Sequence, residues 1–464
     1  MADLKIVLVG AGSRSFGPST IRDIMLSKPL AGRKIDVVLM DIVPKHLTDI
    51  LPYGVALNRN MGRKVSFRTT TNLASSLKGA DYVVSAIEVD RYLYWAMDFH
   101  VPRRYGFSQV YGENGGPGGL FHALRNMGPT LEIARKMERI CPRAVLLNFT
   151  NPETKLCEAV SRLTDIQAYG LCHGIGMGMA LVSELLGRPV DSMRMTACGM
   201  NHFTWFTEIE DRKTGEDLYP ALRRADAEGD ELANWHELGL ARLLFRLFGL
   251  FPSPSPNHYG EYISWAEDFV AHQVQYYHDP MKGRPWETGR VPEFVYSLTY
   301  TDLHHRLAAG PGGKRKATSW ENEMAKARSG KIKVGGSIKP SGEVAIPVIE
   351  GLTCGVERHL DAVNLRNDGA IPNLPADMVV EVPAEVDASG LHPARMAPLP
   401  EGIVGLLRPH ASIHKLLVEA FVEKSRKKLV QAVLLDPTCR SYQAAVGLVD
   451  EMIRLQKGIL PPLR

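Results

Sequence analysis

Cys172 and His202 are the two side chains of this 464-residue sequence best suited to share one divalent metal ion. A thiolate and an imidazole suit manganese, iron, cobalt, nickel or zinc better than magnesium. Two protein ligands leave coordination positions open, which two adjacent hydroxyls of a substrate could fill. A metal held in this way would stabilise an alkoxide or an enediolate. The plainer alternative is that Cys172 is a small buried apolar residue and His202 a hydrogen-bonded core histidine. Their spacing matches no local metal motif.

A second feature gives the pair more weight. The apolar run Lys5–Val9 leads into Gly10-Ala11-Gly12-Ser13 and then into Ile21–Leu26, which reads as helix. A tight glycine turn between strand and helix sets free backbone N–H groups beside the helix's positive end, where a pyrophosphate binds. Position 15 is serine where the usual fingerprint has its third glycine. Ile35–Met40 is a second buried-type strand and ends at Asp41. An acid there accepts hydrogen bonds from a ribose 2′-hydroxyl and disfavours a 2′-phosphate. Gly10–Ser13 alone could be an ordinary turn; strand, helix and Asp41 together favour a nucleotide.

The elements that must position these groups alternate. Val65–Thr69, Tyr82–Ala86 and Ala144–Leu147 read as further parallel strands, with helices at Leu131–Ile140 and Lys155–Leu163 between and after them. That alternation predicts an α/β fold, an N-terminal Rossmann-type doubly wound parallel sheet with helices on both faces. Ligands in such sheets bind beyond the carboxyl ends of the strands. Ser85–Arg91, Asn148–Asn151 and Cys172–His173 all fall at strand ends and should converge. Between them lies Tyr111–Leu120, read as a glycine-rich loop with Glu113 its only acid. After Trp205 the alternation blurs. Asp226–Leu250 reads as one amphipathic helix, ended by the PSPSP run at 252–256 and followed by Asn257–Tyr262. Ala345–Leu352 is an apolar strand or helix edge, Ile413–Leu434 one long helix, and Ser441–Gln456 another. We therefore expect an N-terminal domain over 1–195 and a mixed α+β domain over 196–464.

Composition narrows the function classes. Apolar residues make up 45% and charged residues 23%, as in an ordinary soluble enzyme, and the formal charge is only +4. No basic stripe interleaved with aromatics is present, which argues against nucleic acid. The six cysteines show no repeated close spacing, so neither a disulfide framework nor a structural zinc site is indicated. The sequence runs into its first strand without a basic and apolar leader and holds no long uncharged apolar stretch, so a cytoplasmic protein without a membrane span is expected. A nicotinamide and a metal acting on one carbon would oxidise a secondary alcohol, and the ketone formed would acidify the neighbouring C–H. From the residues alone, this is a metal-assisted dehydrogenase.

The whole chain resembles glycoside hydrolase family 4. The matching pieces are Gly10–Ser13 with Phe16, Gly79-Ala80-Asp81, Gly112-Glu113-Asn114 through Gly118-Gly119, Asn148–Pro152, Cys172-His173-Gly174, Asn201-His202, Asn257–Tyr262 and Asn367–Pro375. The glycine loop by itself also resembles lactate and malate dehydrogenases, to which the family's first domain is related in fold. The resemblance implies tightly bound NAD⁺, a divalent metal, most often Mn²⁺, and a homodimer or homotetramer. It also implies a mechanism: oxidation at C3 of a sugar, removal of the C2 proton, elimination of the aglycone, addition of water and reduction at C3. No pair of carboxylates across the glycosidic bond is needed, unlike in ordinary glycosidases.

Residue by residue, the resemblance assigns Gly10, Gly12, Ser13, Phe16, Asp41 and Asn148 to the cofactor, and Cys172 and His202 to the metal. Asn151 matches the residue that reaches the substrate hydroxyls, and Glu113 is the expected general acid. The base is expected at Tyr259, with His258 or a metal-bound hydroxide as rivals, because no aspartate stands in Pro256–Tyr259. Cys172-His173-Gly174-Ile175 resembles the branch acting on α-linked uronic acids, α-galacturonidase above all; α-galactosidases and α-glucosidases differ after the histidine. A uronate carboxylate calls for a cation, and Arg91, Arg284 and Arg290 are the candidates. An NAD-dependent 2-hydroxy-acid dehydrogenase and a non-catalytic NAD sensor are the two other classes to weigh.

Overall fold

β1 (Leu4–Val9) and β2 (Ile35–Met40) are buried almost throughout, as strands of a parallel sheet covered on both faces must be. Their side chains alternate between two cores. Val7, Val9, Val38 and Met40 face one, whereas Ile6, Leu8, Val37 and Leu39 face the other. The computed structural model describes residues 3–13, 15–228, 238–266, 268–269, 319–329 and 338–464. Within them β3 (Val65–Thr70), β4 (Tyr82–Ser85), β5 (Val145–Asn148) and β6 (Ala168–Gly170) complete a parallel sheet in the order β3-β2-β1-β4-β5-β6. That is the Rossmann order, and the α/β expectation holds.

The sheet continues past β6 with a change of direction. β10 (Arg358–Arg366) pairs antiparallel with β6, β11 (Val379–Asp387) with β10, and β7 (Met193–Met200) with β11. β8 (Phe203–Asp211) and β9 (Phe251–Ser253) follow, while β12 (Gly390–Pro393) pairs with β11. Two strands from late in the chain therefore lie between β6 and β7, which are consecutive in sequence. A third core, around Trp205, Phe206 and Phe251, fills the antiparallel half. The helices Glu401–Glu423, Arg426–Leu435 and Tyr442–Leu455 return to the first half, where Ile413, Leu417, Leu429 and Leu448 pack with Leu131 and Val160.

The glycine turn is built as its spacing requires. Gly10 has φ +79°, and a β-carbon there would lie 2.2 Å from the Ala86 carbonyl oxygen. The close helix–strand approach that a third fingerprint glycine normally permits is made by Gly17, whose added β-carbon would meet the Ala11 oxygen at 2.2 Å. The helix Phe16–Leu26 thus starts before the residues that announced it.

Two expectations change and two are narrowed. The segment 116–119 is not loop but the first turn of a 25-residue helix, Gly116–Ile140; Pro117 suits a first turn because its missing N–H would have had no partner there. The single helix expected over 413–434 is two, parted at Lys424, which takes φ +53°. Asp226–Leu250 likewise contains parts of two helices, Tyr219–Glu228 and Leu238–Phe248, with 229–237 outside the described residues. Ala345–Cys354 is helix. Among the described residues, no helix is long and apolar enough to cross a membrane.

Glu158 sits on the helix Glu153–Leu163 beneath the helix Glu401–Glu423. It is fully buried, with one oxygen 2.8 Å from Arg162 Nε and the other 3.8 Å from His414 Nδ1. Burial pushes its carboxyl up from 4.5 to about 7, against the pull of Arg162. Between those values the folded chain holds a proton that the unfolded chain has released, so this group's contribution to stability is lost as pH rises through that window. Thermal melts at about pH 5 and about pH 7 are expected to show the wild type losing stability relative to Glu158→Gln. Parallel shifts of the two proteins would contradict it.

Candidate active site

Ser85, Asn148 and Gly170 lie side by side at the carboxyl ends of β4, β5 and β6. The Ile87 N–H donates to Thr150 Oγ1 at 3.0 Å and ties the first two loops together. Cys172 follows β6 directly. His202 occupies the two-residue turn between β7 and β8 with φ +63°, a conformation that non-glycine residues seldom take. The Cys172 Sγ lies 3.7 Å from His202 Nε2.

The tie across the two intervening strands is Glu381 on β11. Its Oε1 accepts from Asn201 Nδ2 at 2.9 Å and from Asn364 Nδ2, on β10, at 2.9 Å. Glu153 Oε1 accepts from the Leu171 N–H at 2.7 Å on the other side. Both acids are buried, and burial raises both carboxyls. The Cys172 thiol is held well above its usual range by burial and then by Glu381 and Glu153. His202 is held neutral by burial and by the fields of His258, His173 and Lys155, and its Nδ1 is buried without a partner.

Glu113, His202 and His258 form a second grouping, with one donor atom of each within 4.8 Å of the others. The His258 ring meets that of His202 edge-on at 4.3 Å, and Ser255 Oγ holds its Nδ1 at 2.7 Å. Burial lowers His258 to about 4, against the pull of Glu113. Tyr259, the expected base, is placed differently. It is wholly buried in the core around Trp205, while its neighbour His258 stands with Glu113 and His202.

Arg91, read as a candidate partner for a uronate, is already engaged. Its Nη2 donates to Glu113 Oε1 at 2.5 Å, its Nη1 lies 3.4 Å from Glu88 Oε2, and its guanidinium rests 4.6 Å over the Trp95 ring. Glu88 also meets His122 Nε2 at 2.9 Å; although burial opposes it, His122, Arg91 and Arg125 draw its carboxyl down to about 2. Arg284 and Arg290 lie outside the described residues. Asn151 is half-buried, and its carbonyl accepts from Asn126 Nδ2 at 2.9 Å. His173 turns to Glu343 at 3.0 Å.

At the glycine turn, Asp41 Oδ2 accepts from the Gly12 N–H at 2.9 Å, and Oδ1 from the Val43 N–H at 2.9 Å. Ser13 Oγ accepts from the Phe16 N–H at 3.2 Å, and the Phe16 ring stacks on Phe149 at 4.6 Å. Asn148 donates to the Thr150 carbonyl at 3.0 Å and keeps a buried Oδ1 without a partner. Sequence reasoning missed the buried charges that hold these pieces: Glu153, Lys155, Glu261 and Glu381. Glu261 stood inside the quoted Asn257–Tyr262 segment, and its signal was a carboxylate flanked by aromatic and small residues.

Two family models match the chain, family 4 glycosyl hydrolase over residues 5–187 and the family 4 glycosyl hydrolase C-terminal domain over residues 197–439. An α-glucosidase of Erwinia rhapontici is 31% identical over 499 residues, covering 99% of both chains. The chain belongs to glycosyl hydrolase family 4. An α-galacturonidase of Lachnoclostridium phytofermentans is 26% identical, covering 99% of this chain and 97% of that one. The solved structure of a 6-phospho-α-glucosidase from gut microorganisms, in complex with NAD and Mn²⁺, superposes with a TM-score of 0.73 at 24% identity, covering 99% of this chain and 100% of that one. At that identity the likeness shows the fold.

The donors fit the divalent metal that the family implies. Cys172 Sγ and His202 Nε2, 3.7 Å apart, are near enough for both to bind one ion. A neutral imidazole can offer a metal its Nε2, the atom that faces the Cys172 sulfur. A cation would also offset the two buried acids beneath the thiol. Cys172→Ala is expected to weaken Mn²⁺ binding by roughly 100-fold, read by electron paramagnetic resonance titration, with NAD binding kept. Unchanged Mn²⁺ affinity would contradict the assignment.

Proposed function

We propose that the chain hydrolyses neutral α-hexosides, α-glucosides or α-galactosides, by transient oxidation and elimination. Membership of family 4 makes it an NAD- and divalent-metal-dependent glycosidase. The observation that carries the reading is the grouping of Glu113, His202 and His258 within 4.8 Å, with Cys172 beside His202, where the parallel strands end. Bound NAD⁺ would supply reversible hydride transfer, and a bound divalent metal a Lewis acid beside the sugar hydroxyls.

The chain's own residues supply the rest. Gly10, Gly12, Ser13, Phe16, Asp41 and Asn148 would hold the dinucleotide, and Cys172 and His202 the metal. Asn151 would orient the sugar hydroxyls. Glu113 would give a proton to the departing aglycone oxygen; Arg91 occupies its Oε1, which leaves Oε2 for that task. For the C2 proton, His258 is better placed than Tyr259. Its Nδ1 is paired with Ser255 Oγ; in the tautomer whose Nδ1–H donates to that oxygen, Nε2 would take the proton.

The choice of a neutral sugar rests on Arg91, which is engaged by Glu113 and Glu88. It is also supported by the greater identity to the α-glucosidase than to the α-galacturonidase. The uronide reading is the second, and Cys172-His173-Gly174-Ile175 is what favours it.

A panel of nitrophenyl α- and β-glucosides, galactosides, glucuronides and galacturonides decides between them, with NAD⁺, Mn²⁺ and a reductant present. Release of nitrophenol from α-hexosides, dependent on both cofactors, is expected. Turnover of α-uronides alone would favour the second reading. NADH accumulating without sugar release would mark a dehydrogenase, and NAD binding with no turnover a sensor.

A further inference from the structure

Glu113, a catalytic candidate, lies on a short buried loop. It leaves Tyr111 and enters the helix Gly116–Ile140 within a few residues. What fixes it comes from elsewhere in the chain. Glu261 lies one turn beyond His258 and is wholly buried. Its Oε1 accepts from the backbone N–H of Glu113 at 2.5 Å and from that of Asn114 at 2.9 Å, and its Oε2 reaches the same Asn114 N–H at 3.1 Å. Gly115 sits flat against it, where an added β-carbon would fall 2.5 Å from Glu261 Cβ and 2.7 Å from its carbonyl oxygen.

The same peptide units are gripped from two further sides. Lys155, buried on the helix that follows Asn151-Pro152, donates from Nζ to the Asn114 carbonyl. His122 Nδ1 meets the Glu113 carbonyl at 2.7 Å. The main chain of Glu113 and Asn114 is thus fastened at N–H and C=O by side chains from separate segments. One of those segments carries Glu261 three residues after His258, and another carries Lys155 four residues after Asn151.

We infer that Glu261 is a positioning residue for Glu113: its carboxylate, bound to the Glu113 and Asn114 N–H groups, sets the place of the Glu113 side chain relative to His258 and to the departing aglycone. This rests on the reading of Glu113 as proton donor. One carboxyl oxygen that accepts from two adjacent N–H groups fixes their peptide plane, and a misplacement of about 1 Å at a reacting group costs about 100-fold in rate. The loop's mobility is not at issue. The carboxylate decides which way a rigid loop presents its acid.

Leaving-group dependence is the readout that a merely structural role would not move. Nitrophenolate departs with little help from an acid, whereas an alkyl or sugar alcohol needs its oxygen protonated. In Glu261→Gln, kcat on a methyl or disaccharide α-glycoside is expected to fall about tenfold or more, and kcat on the nitrophenyl glycoside to stay within about twofold. KM for both and NAD affinity should be kept. Gly115→Ala, which presses the loop off Glu261 from the other side, is expected to give the same pattern and serves if Glu261→Gln does not fold. Equal losses on both substrates, or no loss on either, would overturn the inference. Glu113→Gln is measured beside them. If it loses alkyl glycosides selectively and the Glu261 and Gly115 variants do not, only the positioning role fails. If Glu113→Gln shows no leaving-group dependence, the proton-donor reading fails and the inference with it.

Discussion

A single buried carboxylate ties the strands inserted after β6 to the turn that carries His202, at the point where the site is built. Glu381 receives Asn201 from the β7–β8 turn and Asn364 from β10, both at 2.9 Å. On the Cys172 side, Glu153 holds the Leu171 N–H at 2.7 Å. The strands inserted between β6 and β7 supply the first of these two acids. The strained turn at His202 follows from the same arrangement, because Asn201 is held by its side chain while the chain must reverse within two residues. Breaking a buried polar contact of this kind leaves an uncompensated group and costs more than the bond itself was worth.

Charge explains why so many ionisable groups are buried around one small volume. Glu153, Glu261 and Glu381 are all pushed up by burial, and Lys155 is pushed down to about 8 by burial against the pull of Glu261, Asp436 and Glu158. Each is bound to backbone or amide groups that fix geometry rather than to a partner that cancels it outright. Such groups are costly in a core without ligands. They make sense around a site that takes in a divalent cation and a polar sugar, and perturbed groups gathered in this way are what functional sites show.

Much of the fold was legible because parallel strands announce themselves. β1, β2 and β4 are apolar apart from Lys5, Asp36 and Ser85, and Gly10, Gly12 and Asp41 stand where a dinucleotide turn needs them. The helix Tyr442–Leu455 was equally plain, with Ala445, Leu448, Val449 and Met452 on one stripe and Ser441 capping its start. Other features were hidden for physical reasons. Glycines at 116, 118 and 119 argue for loop by propensity, and close packing overrode it. Lys424 ends a helix in a conformation that glycine or asparagine would have signalled. The insertion of β10 and β11 between β6 and β7 depends on pairing across nearly two hundred positions, which no local pattern encodes. For the site, Cys172, His202 and Glu113 were named from type and motif. The choice of His258 over Tyr259 needed coordinates, because adjacent residues on one turn differ only in the face they present.

In the function proposed above, these segments serve a reversible oxidation that loosens the C2 proton of a sugar. Turnover of an α-glycoside in deuterated water, with the product sugar analysed by NMR, tests it most directly. One deuterium at C2 of every product molecule is the expected result, since the abstracted proton exchanges with solvent before water adds back. A product whose C2 keeps its original hydrogen throughout would contradict the elimination and, with it, the roles assigned around Glu113, His202 and His258.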